Sequence, residues 1–248
     1  MFLWFRQIRH RLLDNGKFIT YCKYALGEIV LIIAGILIAL QINVWNEQRK
    51  DTAFEQTLLA EIHTSLNADM EYFKFLQTRL SDNFDACRSL INIIANKETI
   101  ANHKLAELVT QAQANYVFYY NRGSYDALKA SGLEKLSDRK LRHSLIRYYD
   151  FEVPRIESMI RFTDNSERLM HAESLLWQVG DFVADNDNRF FDIRLQGITT
   201  EQLTDPRLLQ FIQIQNYRVS HTLYRLEQLL SQTEAVQQQL QGFLTSIQ

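Results

Sequence analysis

The chain has little with which to break a helix. Its 248 residues include only 2 Pro and 8 Gly. Sandwiches and barrels need frequent turns, and turns draw on those two residues, so the scarcity points to long helices and an all-α fold. Cysteine is nearly absent, with Cys22 and Cys87 alone, which excludes a disulfide framework. A strong charge of one sign is also lacking. The formal net charge is −2, too near neutral to point to nucleic acid.

Catalytic signatures are missing as well. The chain has no Gly-rich phosphate loop, dinucleotide-binding glycine pattern, His-Glu-x-x-His, Cys-x-x-Cys or Gly-x-Ser-x-Gly elbow. The six histidines (His10, His63, His103, His143, His171 and His221) are scattered. A metal site assembled across helices from His63, His143 or His221 is outweighed by the ordinary exposed or capped histidine. Asp181 to Asp192 holds four aspartates but lacks the Gly and terminal Glu of a calcium loop, so it reads as a solvated loop. Ser124 has no identifiable His or Asp partner. The expectation is a chain without a cofactor or metal that is not an enzyme.

What is present is one long apolar run. Residues 24–45 read YALGEIVLIIAGILIALQINVW, and Ile29 to Leu40 carries no polar side chain. Twelve residues are short for a span, but 24–45 at 1.5 Å per residue covers roughly 33 Å, enough to cross a bilayer. Tyr24 and Trp45 fall where interfacial aromatics anchor a transmembrane helix. Arg6, Arg9, Arg11, Lys17 and Lys23 precede the run, whereas Glu47, Arg49, Lys50, Asp51 and Glu55 nearly cancel after it. The positive-inside rule then places the N-terminus in the cytoplasm and residues 46–248 outside. Residues 1–23 read as a basic amphipathic arm on the inner leaflet, with a turn at Asn15-Gly16. Cys22 would lie at the inner edge and Cys87 beyond the span, so the two should not pair within one chain. Cys87 is either a small buried hydrophobe or a thiol for another chain.

Within the span, Glu28, Gly35, Ala39 and Asn46 share one stripe at 100° per residue, with Asn43 beside it. Small residues let helices approach closely, so this polar face fits packing against a second helix. Two other readings stay open: Glu28 snorkels to the interface or pairs with Lys23 or Arg11, or it faces the interior of an ion-conducting oligomer.

The residues of this segment resemble a known pattern. Tyr24, Gly27-Glu28-Ile29, Leu31, Gly35-Ile36-Leu37-Ile38-Ala39-Leu40-Gln41-Ile42, Trp45-Asn46-Glu47 and Arg49-Lys50 are similar to the YxxGEIxLxxxGILIALQIxxWNExRK anchor of a Bacteroidetes-type family of uncharacterised single-pass membrane proteins. Ser124-Tyr125-Asp126-Ala127-Leu128-Lys129-Ala130-Ser131-Gly132, then Leu141-Arg142 and Tyr148-Tyr149, extend the resemblance over most of the chain. It implies a Gram-negative inner membrane and a periplasmic domain, and it brings no activity.

Beyond the span, Leu58, Leu59, Ile62, Leu66, Met70, Phe73, Leu76, Leu80, Phe84, Leu90, Ile91 and Ile94 recur at helical spacing, so the anchor helix should run on to about Ala95. A second helix is expected over 100–114. The run Asn115-Tyr116-Val117-Phe118-Tyr119-Tyr120-Asn121 reads as a buried connection rather than a strand. Ser124 should cap a short helix over 125–130, and Ser137-Asp138 should start another that ends near Phe151, with Pro154 in the boundary. A further helix is expected over 155–183, then a polar loop at Asp185-Asn186-Asp187-Asn188. Thr199 and Gln202 match a capping box, and Thr204-Asp205-Pro206 a helix start. The last helix should run over 206–247. Its heptad-like seam is read as Leu209, Ile212, Asn216, Val219, Leu223, Leu226, Leu230, Thr233, Gln237, Leu240, Leu244 and Ile247.

The function expected is a membrane-anchored interaction or scaffold module. The alternative is an oligomeric channel, or a subunit of a transport or sensing complex, that uses the polar face of the transmembrane helix. Tyr119, Tyr120, Arg122 and Tyr125 form the expected partner surface. The partners expected are the lipid bilayer and either further copies of the chain or another membrane or periplasmic protein, with no nucleic acid.

Overall fold

The computed structural model describes residues 17–113, 116–164, 174–179, 181–184 and 193–246. The amphipathic arm before Lys17, the loop at 185–188 and Ile247 lie outside the described residues. The fold is all-α, with one small hairpin. Helix α1 is Lys17–Asn96, 80 residues without a break, as a segment free of Pro should be. Then follow α2 (Asn102–Ala112), α3 (Gly123–Ser131), α4 (Arg139–Ile146), α5 (Val153–Asp164), α6 (174–179), strands β1 (Asp181–Ala184) and β2 (Ile193–Gly197), and α7 (Pro206–Ser246).

Two compact units divide the chain, residues 1–55 and 56–248. In the first, every described residue from Leu26 to Phe54 is exposed. Its most apolar stretch has a mean hydropathy of 2.4 with none of it buried. Among the described residues this is the one helix long and apolar enough to cross a membrane, and it suggests a membrane anchor. An apolar surface on all sides of a helix is unfavourable in water and suited to lipid.

In the second unit the pattern changes to burial on one face. Leu59, Ile62, Leu66, Asp69, Phe73, Leu76, Leu80, Asn83, Cys87 and Leu90 are all buried, and their spacing alternates three and four. Helix α7 matches it with Leu208, Ile212, Gln215, Val219, Thr222, Leu226, Leu229, Thr233, Val236 and Leu240. This is the 3.5-residue period of a packed helix pair. The early part of the α1 seam (58–80) shares a core with 219–240 of α7, and Ala86, Cys87 and Leu90 share a second core with Leu208, Phe211 and Ile212. The two helices therefore run antiparallel, and a hydrogen bond from Gln237 to Asn67 ties them.

The seam of α7 differs from the sequence reading in half its positions. Ile212, Val219, Leu226, Thr233 and Leu240 are in the seam as expected, but the alternate set is 208, 215, 222, 229 and 236. Leu209, Asn216, Leu223, Leu230 and Gln237 flank it, half-buried. Choosing leucines misled there, because the buried set includes Gln215 and Thr222.

Local chemistry sets the shorter elements. Lys97, with φ 54°, ends α1: its N–H meets the Ile94 carbonyl at 3.3 Å and that of Glu98 the Ile93 carbonyl at 3.0 Å. Ser124 does not cap α3; it is the second helical residue, and Asn121 Oδ1 instead accepts from Gly123 N at 3.0 Å. Gly132 (φ 102°) ends α3 in a conformation that side chains disfavour. Asp138 caps α4 by accepting from Lys140 N at 2.6 Å and Leu141 N at 3.0 Å. The boundary expected at Pro154 is absent. The chain passes from α4 through a π turn (Arg147–Glu152) into α5, and the wider turn accommodates the missing N–H of Pro154.

The helix expected over 155–183 does not reach its predicted end: Asp181–Ala184 is a strand that pairs antiparallel with Ile193–Gly197. Leu175, Leu176, Val179, Phe182 and Val183 repeat at helical spacing, which hid a four-residue strand. Thr199 and Gln202 do form a capping box. Asp205 accepts from Arg207 N at 2.8 Å ahead of Pro206, so α7 starts as read, and it continues to Ser246.

The seam assignment is tested by a pair of neighbours. Leu229→Ala should lower the unfolding free energy by about 2–5 kcal/mol, whereas Leu230→Ala should cost roughly 1 kcal/mol. Denaturant unfolding of both variants measures it, and equal losses would contradict the assignment.

Candidate functional site

The segment from Tyr116 to Arg122 is neither helix nor strand, yet it is extended enough to alternate. Tyr116, Phe118 and Tyr120 pack on the core, while Val117 and Tyr119 are exposed. Side chains from two elements hold it. From α1, the Tyr72 ring stacks on Tyr119 at 4.1 Å and its hydroxyl donates to the Val117 carbonyl. Phe73 lies on Phe118 at 5.6 Å. From α7, Thr222 Oγ1 and the Tyr116 hydroxyl are 2.8 Å apart, and the Arg218 guanidinium sits 4.9 Å over the Tyr116 ring. Asp69, in the α1 seam, accepts the Asn121 N–H with both carboxylate oxygens at 3.0 and 3.1 Å.

Asp69 is 4% exposed. Burial raises its pKa to about 6, against the opposing hydrogen bond from Asn121. The Tyr148 and Tyr149 side chains lie close enough to feel its charge.

At the end of the connector, ionic groups gather around α3. Arg122 grips Asp126 through two nitrogens at 2.9 Å and lies 3.6 Å from Asp150 Oδ1. Lys129 Nζ meets Asp150 Oδ2 at 2.8 Å, and the Tyr125 hydroxyl donates to the same oxygen at 2.9 Å. The Tyr125 ring stacks on Tyr149 at 4.5 Å, Tyr149 meets Tyr148 edge-on at 4.9 Å, and the Tyr148 hydroxyl lies 2.8 Å from Thr233 Oγ1 in α7. One chain of contacts thus links the seam of α7 to the surface charges Arg122 and Lys129.

Electrostatics fix what these groups can do. Burial pushes the Tyr125, Tyr148 and Tyr149 hydroxyls up, so they stay neutral donors at ordinary pH. Burial works against the charge on Asp150, but the hydrogen bonds from Lys129 and Tyr125 outweigh it and hold the carboxyl below its usual range. Burial pushes the Cys87 thiol up to about 12, which makes it an inert core residue. Among the described residues no group of three His, Cys, Asp or Glu is placed to hold a metal ion. The arrangement is suited to holding a shape and presenting it.

The structure brings Tyr120, Arg122 and Tyr125 together around α3, with Tyr125 buried beneath the surface and Tyr119 apart on Tyr72. Tyr24, Glu28, Gly35, Ala39, Asn43, Trp45 and Asn46 are all exposed in the first unit, and a Cβ added at Gly35 would meet nothing within 4 Å. Sequence reasoning missed Asp69 and Asp150. The signal for Asp69 was its place in the seam: a carboxylate among leucines must find a partner.

A family model described as "Family of unknown function (DUF6090)" matches residues 28–160, more than half of the chain. The chain belongs to that family. The match takes in Asp69, the connector and the tyrosines up to Tyr149, and stops before α7. No curated protein and no solved structure matches the chain.

The titration of Asp69 has a defined sign. Its folded pKa lies above the unfolded value of about 3.9, so its contribution to stability is fully present below that value and is lost as pH rises through about 6. Asp69→Asn keeps an acceptor for Asn121 and removes the charge. Going from pH 4 to pH 7, the unfolding free energy of this variant should improve relative to the native chain by about 1–3 kcal/mol. Denaturant titrations at both pH values measure this, and a constant difference would contradict the assigned shift.

Proposed function

We propose that this member of the DUF6090 family is a membrane-anchored helical interaction module. One observation carries the reading: a single unbroken helix, Lys17–Asn96, is apolar and exposed on all sides over 29–40, and is buried on one face from Leu58 onward. The chain thus joins a stretch suited to lipid to a folded helical unit, as a membrane-anchored module would.

The surface we assign to a partner is the outer side of the connector. Val117 is 71% exposed, Tyr119 57% and Phe75, one turn beyond Tyr72, 60%. Arg122 and Lys129 supply charge at its end, and Tyr125 supports it from below. Exposed aromatics over a rigid base are what protein partners most often use.

The basic residues before the span support an N-terminus in the cytoplasm and residues 46–248 in the periplasm. The 24–50 anchor motif supports a Bacteroidetes-type inner membrane. A second reading has a specific motive. The stripe of Glu28, Gly35, Ala39 and Asn46, with open space at Gly35, fits self-association of the anchor and hence an oligomeric channel or complex subunit.

Topology is testable with a membrane-impermeant maleimide. Glu98→Cys in a Cys22→Ser background should be labelled in spheroplasts, while native Cys22 should react only after the membrane is dissolved. Cys87 should react only after unfolding. Labelling of Cys22 in intact spheroplasts, with Glu98→Cys protected, would reverse the orientation.

A further inference from the structure

We infer that a groove between α5 and α7 binds a small aromatic anion. Its volume is about 440 Å³, within the range of small-molecule sites. Met159, Phe162 and Thr163 line it from α5, and Tyr217, His221 and Arg225 from α7. The α7 residues are four apart and so stand in a row on one helix face.

The walls are aromatic and open. Phe162 is 83% exposed and Tyr217 is 56% exposed, and the Tyr217 and His221 rings lie 4.4 Å apart. These rings line a cavity of ligand size. The floor is already satisfied, because the Thr222 hydroxyl is 2.8 Å from that of Tyr116. Discrimination therefore falls to the groups along the row.

Charge selects the ligand. None of the lining residues is Asp or Glu. Arg225 contacts Gln228 Oε1 at 3.1 Å and the Tyr224 ring at 5.2 Å, both neutral partners. Among the described residues it has no carboxylate, and His221 has no hydrogen-bond partner. A carboxylate, sulfonate or phosphate on a ring seated beside His221, one turn from Arg225, would pair with the guanidinium fork, the geometry to which Arg is best matched. A cation would meet Arg225 with no counter-charge. This site does not rest on the interaction-module reading, since it lies on different side chains from those assigned to a partner.

The test uses the full-length protein in lipid nanodiscs, titrated calorimetrically with 2-naphthalenesulfonate and with empty nanodiscs as blank. Saturable binding near one per chain is expected. Arg225→Gln should weaken it by at least about tenfold, Phe162→Ala should weaken it severalfold, and Phe151→Ala, at an exposed ring outside the groove, should leave it unchanged. A naphthyl quaternary ammonium should not bind. Absence of saturable binding, equal affinity in the native protein and in a helical Arg225→Gln variant, or equal binding of the ammonium would each overturn the site.

Discussion

The pairing of α1 with α7 along two seams of alternating three- and four-residue spacing is the interaction on which the rest of the 56–248 unit depends. Each shorter element packs into a core that these two helices already share. Helices α3, α4 and α5 with the π turn fill the core near the middle and end of α7. Helices α2 and α6 fill the other, near its start. Neither long helix could bury its stripe alone, and burial of apolar surface is the main force available.

Polar residues inside the seams give the pair its accessories. Asp69 and Asn83 break the apolar run of α1, and each reaches a loop: Asp69 holds Asn121 N–H, and Asn83 donates to the Gln113 carbonyl at 3.0 Å. In α7, Thr222 and Thr233 meet the hydroxyls of Tyr116 and Tyr148. Irregular backbone beside a core has peptide groups that need partners, and Asp69 and Asn83 supply them, while the two threonines satisfy tyrosine hydroxyls. The connector holds its shape without helix or strand because Asp69, Tyr72 and Thr222 pin it. The exposed face proposed to meet a partner owes its shape to buried polar atoms.

Much of this was legible in sequence. The scarcity of Pro and Gly gave long helices. The apolar members of the α1 stripe from Leu58 to Leu80 are buried as read, because leucine and isoleucine dominate there, whereas Phe84, Ile91 and Ile94 are half-buried and Asn83 and Cys87 take the seam beside them. Capping at Asp138, Thr199 and Asp205 follows from side-chain chemistry within three residues. The failures share a cause: tertiary partners. Half of the α7 seam was displaced by one residue because Gln215 and Thr222 are buried through contacts that sequence spacing does not reveal. Pro154 reads as a boundary until the π turn makes room for it. The strand at 181–184 depends on pairing with 193–197, and its own residues carry a helical spacing. The network around Asp150 joins residues 122 to 150, and only the fold brings them together.

The central claim is the antiparallel register of α1 and α7. It is tested most directly by cross-linking with a short bis-maleimide, after Cys22→Ser and Cys87→Ala, in full-length protein at high dilution. Asn67→Cys with Gln237→Cys should give an intramolecular cross-link, because these side chains are hydrogen-bonded. Asn67→Cys with Arg207→Cys, at the opposite end of α7, should give none. A cross-link in the second pair and not in the first would contradict the pairing on which this account of the fold rests.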